Sequence, residues 1–188
     1  MALNICTMGA AGHGKTTLTA AIMYCLGVAY PTLQDGAIAG ADASGVSHEA
    51  YATPAHEYAH ADGPASQRDA MLAGLPKMDA AILVVSATDG PMPGTRDSIA
   101  AARKAGIANL AVYLNKCDLL DDPEMLELVE MEVRDLLSSQ GYPGDSLPVL
   151  TGSATDALAS AGTPDDPKAS TVFALVAAVE KNVPSGVN

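Results

Sequence analysis

The chain has 188 residues, 48% of them hydrophobic and 17% charged, which is the composition of one globular domain able to bury a full core and not of a disordered segment. Ten Lys and Arg against 22 Asp and Glu leave a net charge of −12, which argues against direct nucleic-acid binding or an anionic membrane surface, since both need a basic stripe. With no Trp and one Phe, the core must be aliphatic.

Short apolar runs alternate with helical stretches, the pattern of a mostly parallel sheet with helices on both faces. Residues 3–8 read as a first strand that enters a Gly-rich loop, and residues 15–26 continue as a helix stopped at Gly27. Residues 28–46 are rich in Gly, Ala and Ser without periodicity and read as a mobile loop. Residues 47–53 and 56–62 flank Pro54-Ala55 as an antiparallel hairpin. Residues 80–86 are a buried strand, 95–104 a helix ended by Gly106, and 110–114 a strand that delivers Asn115. Residues 123–140 form a strong helix with Pro near its start and Gly141 after it. Residues 147–151 are the last strand, 157–167 a loop, and 170–182 the closing helix. No internal repeat and no second domain is legible, so residues 1–188 read as a single domain.

Cys6, Cys25 and Cys117 make no CxxC pair and no even framework, which fits reduced thiols. No signal peptide is evident at the start, and no apolar run approaches the ~20 residues of a membrane span. The expectation is a soluble, cytoplasmic protein with no membrane contact.

Residues 9–16 read Gly-Ala-Ala-Gly-His-Gly-Lys-Thr and fit the phosphate-cradling pattern G-x-x-x-x-G-K-[ST]. Gly9 and Gly14 let the backbone turn and approach phosphates, while the amides of Gly12, His13, Gly14, Lys15 and Thr16 converge as an anion nest at a helix N-terminus, with Thr17 following. Lys15 brings charge to the β and γ phosphates, and the Thr16 hydroxyl suits Mg2+. A chance Gly-rich turn is the plain alternative, disfavoured by the strand before and the helix after. Asn115-Lys116-Cys117-Asp118 sits at a strand end, the ligand-binding edge of an open α/β sheet. An ionised Asp only accepts hydrogen bonds, so Asp118 can take the N1 and N2 protons of guanine and finds no such donors on adenine. Lys116 can lay its stem along the ring. Taken alone, the tetrapeptide could instead be a helix cap. Ser153-Ala154 completes the pocket, with a backbone amide expected to face the guanine oxygen.

These residues resemble the GTP-binding domain of the elongation factor Tu family. The likeness extends through residues 13–22, Met78-Asp79, residues 81–85, 87–93 and 114–118, and 126–133, and covers nearly the whole chain. It implies a P-loop NTPase fold that holds GTP or GDP with Mg2+, and a lone domain without the two β-barrels that help hold aminoacyl-tRNA, so that elongation function looks excluded for this chain by itself. Lys15, Thr16, Asn115, Lys116, Asp118 and Ser153 match the family, and Asp62 matches the aspartate that holds Mg2+ through water.

Two segments depart. Where the family reads Asp-Cys-Pro-Gly-His, this chain reads Asp62-Gly63-Pro64-Ala65-Ser66, and a two-residue gap removes both the Gly that senses the γ-phosphate and the His that orients water. Gln67 is a weak candidate to replace that His, by analogy with water-positioning Gln residues of this fold. The family's Arg-Gly-Ile-Thr aligns with residues 40–43, leaving Thr32, Ser44 or Ser47 to substitute for its magnesium-binding Thr by another loop path. Gly12 stands where the family has an aspartate. Losing a water-orienting group costs about 10²–10⁴ in rate, so binding of GDP or GTP with very slow or absent GTP hydrolysis is expected.

In helix 123–140, Leu126, Val129, Val133, Leu136 and Leu137 share a core face, while Leu128 and Met131 point away among acidic residues. Scattered exposed apolar residues are ordinary and need have no role, but in the resembled family this helix is where an exchange factor and a ribosomal stalk protein dock, so the resemblance implies a protein partner there. Ala100, Ala101 and Ala102 suit a domain exposing a face that is covered in the longer factor. His13, His48, His56 and His60 make no metal pattern, and the last three read as solvent-facing hairpin residues. Three readings follow: a nucleotide-binding regulator or sensor, a GTPase activated by a partner, or a decoy or relic that competes for translation partners.

Overall fold

Alternation within the strands sorts their side chains to two faces, and each face needs its own cover. The computed structural model describes residues 2–34, 45–69, 72 and 77–183. In chain order, β1 (Leu3–Met8) leads to α1 (Lys15–Ala29), then β2 (Ser47–Ala52), β3 (Glu57–Asp62), β4 (Ala80–Ser86), α2 (Pro93–Lys104), β5 (Asn109–Asn115), α3 (Pro123–Ser139), β6 (Val149–Thr151), α4 (Ala154–Leu158) and α5 (Pro167–Asn182). The sheet order is β2-β3-β1-β4-β5-β6, antiparallel between β2 and β3 and parallel elsewhere. This is the expected α/β P-loop NTPase architecture.

Leu3, Ile5, Ile82, Val84 and Tyr113 pack on one face against Leu18, Ile22 and Leu26 of α1 and Val172, Leu175 and Val179 of α5. Cys6, Met8, Leu83, Val85 and Leu114 pack on the other against Ile99 of α2 and Val129, Val133 and Leu137 of α3. β4 is buried at all seven residues because it is covered on both faces, which is why it reads as a continuous apolar run. Truncating one of these side chains, such as Ile82, to Ala would cost about 2–5 kcal/mol.

Several expected boundaries shift. The first helix does not stop at Gly27 but runs on to Ala29, its apolar face docked on β1. A short 3-10 turn, Pro31–Leu33, follows inside the stretch expected to be a loop, and Thr32 is exposed on it. α2 and α5 each begin earlier than expected, with Pro in the first turn. β6 starts at Val149, and α4 occupies the start of the expected loop because Ser153 caps it. On α3, Leu126 and Leu136 are half-buried beside the core, and Leu128 and Met131 are exposed, as expected. Ala102 is fully buried on α2, so the three alanines do not form one exposed face.

The hairpin brings the main correction. His56 is exposed, but His60 is 1% exposed, on the same side of β3 as Tyr58. Its ring bridges the Tyr51 hydroxyl (2.9 Å) and Thr7 Oγ1, and Thr7 pairs with Thr19 of α1 (3.1 Å). Burial pulls its pKa down to about 3, so it is a neutral core group. Of the expected switch segment, residues 40–43 and Ser44 lie outside the described residues.

Candidate functional site

All the motif residues meet at the carboxyl ends of β1, β3, β4, β5 and β6. The phosphate side is built from backbone. Asp122, Ser153 and Asp166 cap α3, α4 and α5 with side-chain oxygens, whereas α1 starts at Gly14 with no side-chain cap. Its first amides have no side-chain acceptor at the cap and lie at the positive end of the helix dipole, a position that favours negative charge. Gly14 has φ +88°, and a Cβ there would lie 2.3 Å from Asn115 Nδ2. Gly9 has φ +143°, and a Cβ there would lie 2.3 Å from the Val84 carbonyl oxygen. Only glycine fits either place. Lys15 is buried and donates to the Ala10 carbonyl at 2.9 Å, which holds its ammonium across the loop. Burial lowers its pKa, with the charge of Asp62 acting in the opposite direction.

The base side is organised by Asn115, which is 3% exposed. Its Nδ2 donates to the His13 carbonyl (3.0 Å) and its Oδ1 accepts from the Ala154 amide (2.9 Å). Its own carbonyl accepts from Ala87 N at 2.8 Å. One side chain thus joins the phosphate loop to the loop after β6. The amide expected to face the guanine oxygen is the one that holds Asn115. Lys116 is the one non-Gly residue with positive φ (65°) among the described residues, and Asp118, two residues on, is exposed. Its Nζ lies 3.8 Å from Asp89, an acidic neighbour in the family-like segment 87–93 to which no site role was assigned. Cys117 N donates to the Gly152 carbonyl (3.1 Å) and Gly152 N to the Leu114 carbonyl (2.9 Å), tying the two loops together.

Thr16 and Asp62 meet at the phosphate end, where Thr16 Oγ1 donates to Asp62 Oδ2 at 2.7 Å. Asp62 Oδ1 is buried and has no partner among the described residues. Burial raises the pKa of this carboxyl, against the opposing effects of the Thr16 hydroxyl, Lys15 and the Gly63 amide. A hydroxyl and a buried carboxylate with a spare oxygen suit Mg2+, a hard cation that takes oxygen ligands, so the residues fit that ion. Ser47, a possible substitute for the missing Thr, donates instead to the Asp62 backbone carbonyl (3.3 Å).

His13 is 1% exposed, and neither ring nitrogen has a hydrogen-bond partner among the described residues. Burial lowers its pKa, so the ring is a neutral wedge under the loop whose backbone serves the site. After β3 comes a 3-10 turn, Ala65–Gln67, closed by Gln67 N donating to the Pro64 carbonyl (2.9 Å). Ser66 is exposed and Gln67 half-buried on this turn. Next to it, Arg68 lines a small cavity with Gly9 and Lys15. An arginine in a run of small and polar residues has no sequence signal of its own.

A family model described as the elongation factor Tu GTP binding domain matches residues 1–185, nearly the entire chain. The chain belongs to that family.

Proposed function

We propose that this member of the family is a guanine-nucleotide-binding regulator or sensor, which holds GTP or GDP with Mg2+ and hydrolyses GTP very slowly or not at all. The observation that carries the binding half is the Asn115 bridge between the His13 carbonyl and the Ala154 amide, set beside an uncapped helix N-terminus. The slow half is supported by Gly63-Pro64-Ala65-Ser66 standing where the family has its γ-phosphate-sensing Gly and water-orienting His.

In this reading the amides at the start of α1 hold the phosphate oxygens, and Lys15 turns from the Ala10 carbonyl toward them. Asp118 accepts from guanine N1 and N2 while Lys116 covers the ring plane. Thr16 directly, and Asp62 through water, would hold Mg2+, which when bound offsets phosphate charge. Water is left without a fixed orienting group, so the rate stays near the basal level of such sites. Calorimetry with GDP, GTP and ATP on the wild type and Asp118→Ala tests the binding half. Guanine binding lost or equalised with ATP in the variant supports it. A single-turnover hydrolysis rate matching ordinary translational GTPases would sink the slow half.

A protein partner on α3 is a second reading, favoured by Leu128 at 44% and Met131 at 56% exposure on the helix side turned away from the core. A pull-down in which neither an exchange factor nor a ribosomal stalk protein is retained would remove it.

A further inference from the structure

Between the phosphate loop and the turn after β3 lies a cavity of about 10 Å³, space for a single water, lined among others by Gly9, Lys15, Gly63, Ala65, Arg68 and Ser98. Two cationic residues therefore line one small space beside the phosphate cradle. Lys15 is held by a neutral carbonyl, and Asp62 is engaged by Thr16. The Arg68 side chain is only 18% exposed, although guanidinium is charged at every accessible pH. Its one anionic contact among the described residues is its sequence neighbour Asp69, at 3.5 Å and 84% exposed. A long pair to a solvated carboxylate compensates a buried cation poorly. Among the described residues, no Asp or Glu lines this cavity to pair with the cation. Gln67 does not line this space.

We propose that Arg68 is the residue by which this domain distinguishes a nucleoside triphosphate from a diphosphate, donating from its guanidinium to oxygens of the terminal phosphoryl group. The inference rests on the guanine-nucleotide reading above and adds a specificity-determining side chain to it. A planar guanidinium is well matched to phosphoryl oxygens, and the contact exists only when the third phosphate is present. The turn after β3 then senses the third phosphate through a side chain, which offsets the loss of the family's backbone Gly there.

The test is calorimetry of GDP and of β,γ-imido-GTP with Mg2+ on the wild type, Arg68→Ala, Arg68→Gln and Arg68→Lys, with thermal melts without nucleotide to confirm folding. A charge-assisted contact predicts that Arg68→Ala weakens the triphosphate by on the order of 10- to 100-fold. GDP should change by less than about threefold, as the contact is absent there. Arg68→Gln should behave like Arg68→Ala, and Arg68→Lys should keep part of the preference. Equal losses for both nucleotides, or no change for either, overturn the assignment while leaving guanine binding intact. If Arg68→Ala fails to fold, the Gln and Lys variants decide by the same ratio. A wild type that binds neither nucleotide overturns the guanine reading, and this assignment with it.

Discussion

Around Asn115 each polar atom of the side chain has a buried partner, the His13 carbonyl in the phosphate loop and the Ala154 amide at the start of α4, and the loops it joins are stitched by further backbone bonds. Around Asp62 the picture is different. Among the described residues one carboxylate oxygen has no partner, the following turn is closed by Gln67 N on the Pro64 carbonyl, and Arg68, paired at 3.5 Å with the exposed Asp69, lines the small cavity beside Lys15. Asn115 is satisfied by the protein's own groups, whereas the Asp62 end keeps polar groups that, in the proposed reading, a bound polyphosphate and cation take up. In the proposed reading, affinity persists while hydrolysis is slow because the two functions rest on different pieces of backbone.

The sharpest probe of the base side is Asp118→Ala. A site that reads its substrate through such hydrogen bonds discriminates by about 10⁴–10⁵, and most of that preference for GDP over ADP should vanish in competition titrations. Retained selectivity would mean that the base is read elsewhere. Gly14→Ala comes next. Its Cβ would collide with Asn115 Nδ2 at 2.3 Å from a φ of +88°, so both sides are disturbed together and GDP affinity should fall at least about 100-fold by calorimetry. Asn115→Ala leaves the His13 carbonyl and Ala154 amide without their partner, and should lower unfolding free energy in urea by about 2–4 kcal/mol. A loss under 1 kcal/mol, on the scale of a minor surface change, would show that the bridge is not what holds the two loops together.

A smaller effect comes from the sheet behind Asp62. The His60 pKa falls from about 6.5 in the unfolded chain to about 3 in the folded one. The unfolded state therefore binds the extra proton between these values. The contribution is fully present above about pH 6.5 and is lost as pH falls toward 3. Relative to pH 7, stability at pH 5 should drop by about 2 kcal/mol through this group, and His60→Gln should flatten that slope in urea titrations at both pH values. The smallest change is expected at the turn itself. Gln67→Ala should alter single-turnover hydrolysis by less than about threefold, far below the 10²–10⁴ of a positioned water-orienting group. A larger loss would restore Gln67 as catalytic and erase the contrast between the two ends.

Most of the fold was legible because its signals are local. β4 is announced by Ala-Ala-Ile-Leu-Val-Val-Ser, and the start of α1 by the glycines that a left-handed turn and a close approach require. Misreadings came where a distant contact outweighed a local cue. Gly27 costs a helix about 1 kcal/mol, but α1 continues through it because Leu18, Ile22 and Leu26 are already docked on the sheet. His60 looked like one of three alternating surface histidines, yet its register opposite Ile5 of β1 and Glu49 of β2 places it under α1 with Tyr51 and Tyr58. Arg68 was invisible because nothing near it in the chain is periodic or motif-like.

By itself, the order of residues determined that this chain has a Gly-rich loop of the phosphate-cradling pattern, the tetrapeptide Asn115-Lys116-Cys117-Asp118 at a strand end, and segments between them that depart from the family pattern. Those features depend on which backbone conformations and donor patterns a short stretch can adopt. Tertiary structure alone decided that Asn115 reaches the loop 102 residues before it, that His60 is neutral and buried, that one Asp62 oxygen has no partner among the described residues, and that Arg68 and Lys15 line one cavity. Burial and hydrogen-bond satisfaction are properties of neighbours brought together by strand order, and strand order is a global outcome of packing both faces of the sheet.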